Sequence, residues 1–289
     1  MNAYETHDWP DLRDPVLVVA LEGWIDAGSA AAAALATIDR ESNARSVATF
    51  DADRFLDFRA RRPVMQLREG INTGLVWPET VLKAGRTPAG RDVVILGGHE
   101  PDMQWRAFCA AVTELAGSLG VTRMVGLGAY PIGVPHTRPS RLSMSCSTPE
   151  AAIGLPYQRN SVDVPAGAGA ALEQALATAG FPSLTLWGQV PHYLAGAPYP
   201  GATVALLEGL TAVTGIDVDT TALRQEAAAT RARVDELVAA NPEHVQMLRQ
   251  LEAMWDQSDV APTHPLSDGP LPSGDELAAE LEKFLREQS

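Results

Sequence analysis

The chain has 289 residues, 46% hydrophobic, 20% charged and 6% aromatic, the balance of a globular protein with a buried core, which excludes disorder, collagen and coiled coil as whole-chain readings. Its 22 Lys and Arg stand against 36 Asp and Glu, a net charge of −14 that repels phosphate backbones and anionic lipid, so neither nucleic acid nor a membrane is expected as a partner. Two distant cysteines, Cys109 and Cys146, without CxxC spacing, and an N-terminus opening on Glu5, Asp8, Asp11 and Asp14, point to a reducing, cytoplasmic protein without a signal peptide.

Short Val/Ile/Leu-rich runs at 16–21, 92–96 and 123–127 read as strands covered on both faces, and 44–50 and 184–187 read as further strands. The longest apolar runs, 15–21 and 29–38, reach about half the ~20 residues of a membrane span. Between the strands, an alanine-rich helix is expected over 27–41 with Asp26 as its N-cap. Residues 51–77 interleave Phe55, Phe58, Val64, Met65, Leu67 and Val76 with charge and read as short antiparallel strands or an excursion. A second helix is expected over 102–119, with Phe108, Val112, Leu115 and Leu119 on one stripe, and a third over 165–179, opening on Pro165 and ending before Gly180. Alternating strands and helices make an α/β fold with a mostly parallel central sheet flanked by helices, over residues 1–216.

From residue 217 the pattern becomes helical. Leu223, Ala227, Val234, Leu237 and Val238 mark one helix; Asn241 caps and Pro242 opens another carrying Val245, Leu248, Leu251 and Trp255. This is an appended helical hairpin at 217–257. Four prolines make 258–274 a linker, and the Ser273/Glu276 capping box opens a tail helix at 275–289 whose Leu277, Leu281, Phe284 and Leu285 share a face and call for a docking surface.

In parallel sheets ligands bind beyond the carboxyl ends of the strands, and here those ends are rich in ionisable groups. Glu22, Trp24 and Asp26 follow the first strand; His99, Glu100 and Trp105 follow the 92–96 strand; His136 and Arg138 follow the 123–127 strand; His192 and Tyr193 follow the last. With parallel strands, the three histidines share one sheet edge with Glu22, Glu100 and Arg138, as a candidate pocket or interface. The turn at 23–29 lacks both GxGxxG and a P-loop Lys-Ser/Thr, and Glu22 and Asp26 oppose phosphate, so it reads as turn geometry with a cap. No HxH or HExxH spacing supports a metal, and no cofactor motif is present. Arg138 either clamps an anionic group or pairs with Glu22 or Glu100. There is no GxSxG elbow, and Cys109 sits near an apolar helical stripe as a buried thiol. Trp24, Trp105 and Trp187 at or beyond strand ends suit a pocket or an oligomer interface.

The segments Glu22-Gly23-Trp24-Ile25-Asp26-Ala27-Gly28, residues 101–108, Pro135-His136-Thr137-Arg138-Pro139 and Val190-Pro191-His192-Tyr193-Leu194 together resemble the proteasome-assembly-chaperone superfamily in its actinobacterial branch. The resemblance implies a fold like that of purine nucleoside phosphorylases, homo-oligomerisation, a cytoplasmic location, and proteasome subunits or another protein as partner. Some relatives dock through a terminal hydrophobic-Tyr-any tail, a pattern that Leu285-Arg286-Glu287-Gln288-Ser289 lacks. Two readings remain open. One is a non-enzymatic oligomeric chaperone or scaffold. The other is a nucleoside-type hydrolase, phosphorylase or binding protein in which Arg138 holds an anionic group and His136 or a carboxylate moves the proton.

Overall fold

The computed structural model describes residues 2–258; the tail helix expected at 275–289, and all but the first residue of the expected linker, lie outside the described residues. In chain order the elements are β1 (Tyr4–Thr6), β2 (Val16–Glu22), α1 (Ala30–Ser42), β3 (Arg45–Phe50), α2 (Ala52–Phe55), β4 (Val64–Arg68), β5 (Ile71–Val76), β6 (Thr80–Arg86), β7 (Asp92–His99) and α3 (Trp105–Ser118). They continue as β8 (Arg123–Ile132), β9 (Leu142–Cys146), α4 (Ala168–Thr178), β10 (Ser183–Pro191), α5 (Pro200–Thr214), α6 (Thr221–Ala239) and α7 (Pro242–Ser258). No helix among the described residues is long and apolar enough to cross a membrane.

One eight-stranded sheet runs in the order β1-β3-β6-β7-β2-β8-β10-β9. Its four middle strands, β7, β2, β8 and β10, are parallel, and the strands outside them pair antiparallel. Alternation divides β7, β2 and β8 between two cores, while the apolar residues of β10 enter one of them. Val16, Val18, Ile95, Val125 and Leu186 pack with residues of α1 and α5 on one face. Leu17, Val19, Val94, Leu96 and Met124 pack with residues of α3 and α4 on the other. Continuous apolar strand sequences follow directly from this double coverage.

Three middle strands run longer than their apolar runs predict. β7 continues through Gly97 and Gly98, so His99 is its last residue and lies beside Glu22 in register rather than in a following loop. Gly98 holds a φ of +99°, and a Cβ there would lie 2.1 Å from the Glu79 carbonyl oxygen, so only glycine lets β6 and β7 stay paired at this point. β8 and β10 likewise extend to Ile132 and Pro191, which places Trp187 inside β10 instead of at its end. β1, β6 and β9 carry too little apolar sequence to announce themselves and are added at or towards the sheet edges.

The helices start later than expected. A 3₁₀ turn at Ala27–Ser29 precedes α1, with Gly28 at φ +64°, where an added Cβ would lie 2.7 Å from the Cβ of Tyr199, so only glycine fits. Asp26 nonetheless satisfies this helix start from outside the turn: its two carboxylate oxygens accept the Ala31 and Ala32 N–H groups at 2.8 and 2.9 Å. α3 begins at Trp105 rather than 102 because Gln104 is left-handed at φ +55° and Asp102 is engaged elsewhere. α4 begins at Ala168 rather than 165. In α6, Val234 and Val238 are buried as expected, but Leu237 falls off that stripe and is exposed.

The edge strand β9 is fastened by one buried carboxylate. Glu173 of α4 accepts hydrogen bonds from Ser145 (3.2 Å), Ser147 (2.9 Å) and Thr185 (2.7 Å), which ties α4 to β9 and β10. Truncating it strands the buried Thr185 hydroxyl and loosens the edge. Glu173→Ala is expected to cost about 2–4 kcal/mol by urea denaturation and Glu173→Gln about half as much, whereas equal and negligible losses would show that the three hydroxyls find other partners.

Candidate functional site

The ionisable residues do gather at the carboxyl ends of the parallel strands, in two groups. In the first, His99 Nδ1 lies 3.6 Å from Glu22 Oε2, at the tips of adjacent β7 and β2. Glu100 is committed to the fold: its Oε2 accepts the Ala168 N–H at 2.8 Å, at the start of α4. Asp102 accepts the Asp57 N–H at 2.8 Å and pairs with Arg61; burial opposes its ionisation, but these contacts hold its carboxyl below the usual range. The Trp105 indole N–H donates to the Pro101 carbonyl at 2.6 Å. Trp24 is 52% exposed and passes close to Gly167 at the head of α4. Burial raises the Asp26 carboxyl above its ordinary range, against the lowering effect of the amides it caps and together with the nearby Glu22 charge.

The second group surrounds the loop after β8. His136 is buried and both ring nitrogens are engaged: Nδ1 with the Tyr193 hydroxyl at 2.8 Å, and Nε2 with Asp235 Oδ1 of α6 at 3.0 Å. The Tyr193 oxygen already accepts the His136 backbone N–H at 3.0 Å, so its proton is directed to Nδ1 and the neutral imidazole donates from Nε2 to Asp235. Two residues on, Arg138 grips α7. Its Nε and Nη2 donate to both oxygens of Asp256 at 3.0 and 2.9 Å, and Nη1 donates to Glu252 at 3.2 Å. Thr137 also donates to Glu252, and the Arg141 guanidinium lies 3.4 Å from the centroid of the Trp255 ring. The His192 ring meets Tyr193 edge-on at 5.2 Å.

Arg138 therefore pairs with neither Glu22 nor Glu100, the partners expected from sequence. It lies closer to the C-terminal helices than to the β2 and β7 tips, and its acids come from more than a hundred residues away. No hydrogen bond or ion pair among the described residues joins Glu22, His99 and Glu100 to His136, Arg138 and Tyr193. Sequence reasoning missed Asp235, Glu252, Asp256, Arg141 and Trp255. One signal was available: Glu252 and Asp256 stand four apart on a helix, a like-charge pair that is unfavourable unless a cation bridges it. Burial pushes the Cys109 thiol up to about 11, so it is protonated at neutral pH, as the apolar stripe suggests.

The buried histidine makes the clamp acid-sensitive. Burial pulls the His136 imidazole below its ordinary value, and this outweighs the opposing Asp235 contact. The unfolded chain is then the stronger proton binder, so the contribution is whole above about pH 6.5 and is lost as pH falls below it. Denaturation midpoints measured from about pH 7.5 down to 5.5 are expected to fall more steeply for the native chain than for His136→Gln; parallel slopes would remove His136 as the cause.

Many solved structures resemble the chain along most of its length, these three among them. A Mycobacterium tuberculosis protein of unknown function is 36% identical, covering 89% of this chain and 92% of its own, with a TM-score of 0.82. A PAC2 family protein from Streptomyces avermitilis is 38% identical (81% and 100% covered, TM-score 0.75). A Mycobacterium tuberculosis proteasome-assembly chaperone homologue is 33% identical (81% and 99% covered, TM-score 0.75). No curated protein matches the sequence. The PAC2 family model matches residues 20–238, from the end of β2 to the end of α6, and the chain belongs to the PAC2 family.

Proposed function

We propose that the protein is a non-enzymatic, oligomeric assembly chaperone or scaffold of the cytoplasm, which engages protein partners, proteasome subunits among them, through the loops at the carboxyl edge of its sheet. The observation that carries this reading is the fate of the 135–139 loop. A general acid or base needs a ring nitrogen within about 3 Å of a substrate proton, and both nitrogens of His136 are already taken by Tyr193 and Asp235. An anion clamp needs an unoccupied guanidinium fork, and the fork of Arg138 is filled by Asp256 and Glu252. The chain's own helices thus occupy the positions a small ligand would take.

The similarity to a proteasome-assembly chaperone homologue supports the same direction. So does the apolar surface at this edge, where Trp24 and Met103 are exposed on successive loops, the kind of patch that partners cover. The enzymatic alternative rests on Glu22 and His99, which keep solvent access 3.6 Å apart.

A thermal-shift panel of nucleosides, nucleotides, phosphate, carboxylates and divalent metals separates the two. Ligand at about 100 times its Kd adds roughly 2.7 kcal/mol, a plain rise in midpoint. The chaperone reading expects no rise with any of them, together with co-sedimentation with unassembled 20S proteasome subunits that weakens about tenfold or more in Trp24→Asp. A midpoint rise abolished by His99→Ala, or turnover of any panel member, would overturn it.

A further inference from the structure

β1 ends the sheet on one side and has a neighbour, β3, on one flank only. Just outside the strand, Ala3 accepts the Asp51 N–H at 3.1 Å and His7 donates to the Val47 carbonyl at 2.8 Å, so the odd-numbered residues face β3. In an antiparallel pair the residues between turn their backbone groups the other way, which directs the N–H and C=O of Tyr4 and Thr6 to the open edge. A trough of about 970 Å³ lies along this edge. Its inner wall is apolar: Tyr4 meets Phe50 edge-on at 6.1 Å, and Ala107, Ala110 and Ala111 share one face of α3. Small side chains at those three positions leave room for the inward residues of a further strand.

Charge selects the occupant. The trough is lined by three acids, Glu5, Asp51 and Glu114, against the single base Arg54, a local charge of −2. Arg54 is already engaged: its Nε donates to Gln104 Oε1 at 3.1 Å, and its guanidinium lies 5.3 Å from the centroid of the Phe55 ring. None of the three acids takes part in an ion pair among the described residues. The same charge rejects a second copy. Two β1 strands paired antiparallel about their centres would set Glu5 opposite Glu5, and like charges directly across a pair are destabilising. Tyr4 and Thr6 turn their side chains to the α3 side and Glu5 turns to the other, so an added strand meets an apolar wall at alternate positions and a carboxylate between them.

We infer that the β1 edge is a docking site for an extended segment of a partner protein, added to the sheet as a ninth strand, its small apolar residues against the α3 alanines and its alternate Lys or Arg residues towards Glu5. The site is built on the backbone groups of β1 rather than on the Trp24 and Met103 surface, and stands whether or not that surface engages proteasome subunits.

Fluorescence anisotropy of a labelled octapeptide of alternating Lys and Val, titrated with the full-length chain, tests it with no proteasome subunit present. The Lys/Val peptide is expected to bind about tenfold more tightly or better than its Glu/Val counterpart. Thr6→Pro removes an outward N–H without touching a β1–β3 bond and should weaken that binding about fivefold or more. Glu5→Lys/Glu114→Lys should invert the preference between the two peptides. Equal affinity for the two peptides, or Lys/Val binding unchanged in either variant, would overturn the inference. So would a native mass that falls in Thr6→Pro, which would put a second copy at this edge.

Discussion

Burial of the four parallel strands on both faces is the constraint from which the rest of the molecule follows. Most side chains of β7, β2 and β8 enter one of two apolar cores, and β10 contributes Leu184, Leu186 and Val190 to one of them, so along much of their length these strands carry no group able to do chemistry. Polar function is displaced to the strand ends, and the parallel arrangement brings four of those ends to one edge. The crowd of ionisable residues there is a consequence of topology before it is evidence of a reaction.

What those residues do is decided by the acidity of the chain. With 36 acids and 22 basic residues, a guanidinium at the edge meets carboxylates of its own chain before it meets a solute: Arg61 finds Asp102, and Arg138 finds Asp256 and Glu252. The bidentate grip on Asp256 fixes the angle at which α7 lies, since a planar fork fits a carboxylate in one orientation. Its partly exposed charges add little net energy. The apolar part of the contact comes from Val234, Val238, Leu251 and Trp255, which are buried, while the burial of His136 supplies specificity through two directional hydrogen bonds.

The sequence announces this architecture well wherever a strand is doubly covered or a helix has one apolar stripe: β2, α1, α3 and the pairing of α6 with α7 are all legible. It is silent about β6 and β9, because an edge or near-edge strand such as Leu142–Cys146 alternates small polar residues with few apolar ones. The helix expected from 102 begins only at Trp105 because Asp102 spends its carboxylate on Asp57 and Arg61, and the one expected from 165 begins at Ala168, whose N–H the distant Glu100 carboxylate receives. The membership of the strand-edge group could be read from the sequence, since each residue lies at or beyond the end of an apolar strand run. Its wiring could not. Ion pairs that close across more than a hundred residues leave no local pattern beyond the Glu252/Asp256 repulsion that Arg138 relieves.

That relief shows why the loop and the helices must be considered as one unit. On an isolated helix Glu252 and Asp256 would weaken the turn they share, and an isolated Arg138 would face water with nothing to orient it. Brought together, each removes the other's cost, and His136 gains in Asp235 the acceptor that makes its burial tolerable. The coupling is sharpest at the imidazole. In its neutral form the ring satisfies one donor and one acceptor at once, whereas a protonated ring would present a second N–H to a tyrosine oxygen that already accepts the backbone amide. The geometry that occupies both nitrogens of His136 and the fork of Arg138 is thus the same geometry that holds the C-terminal helices in place, so freeing the one requires loosening the other.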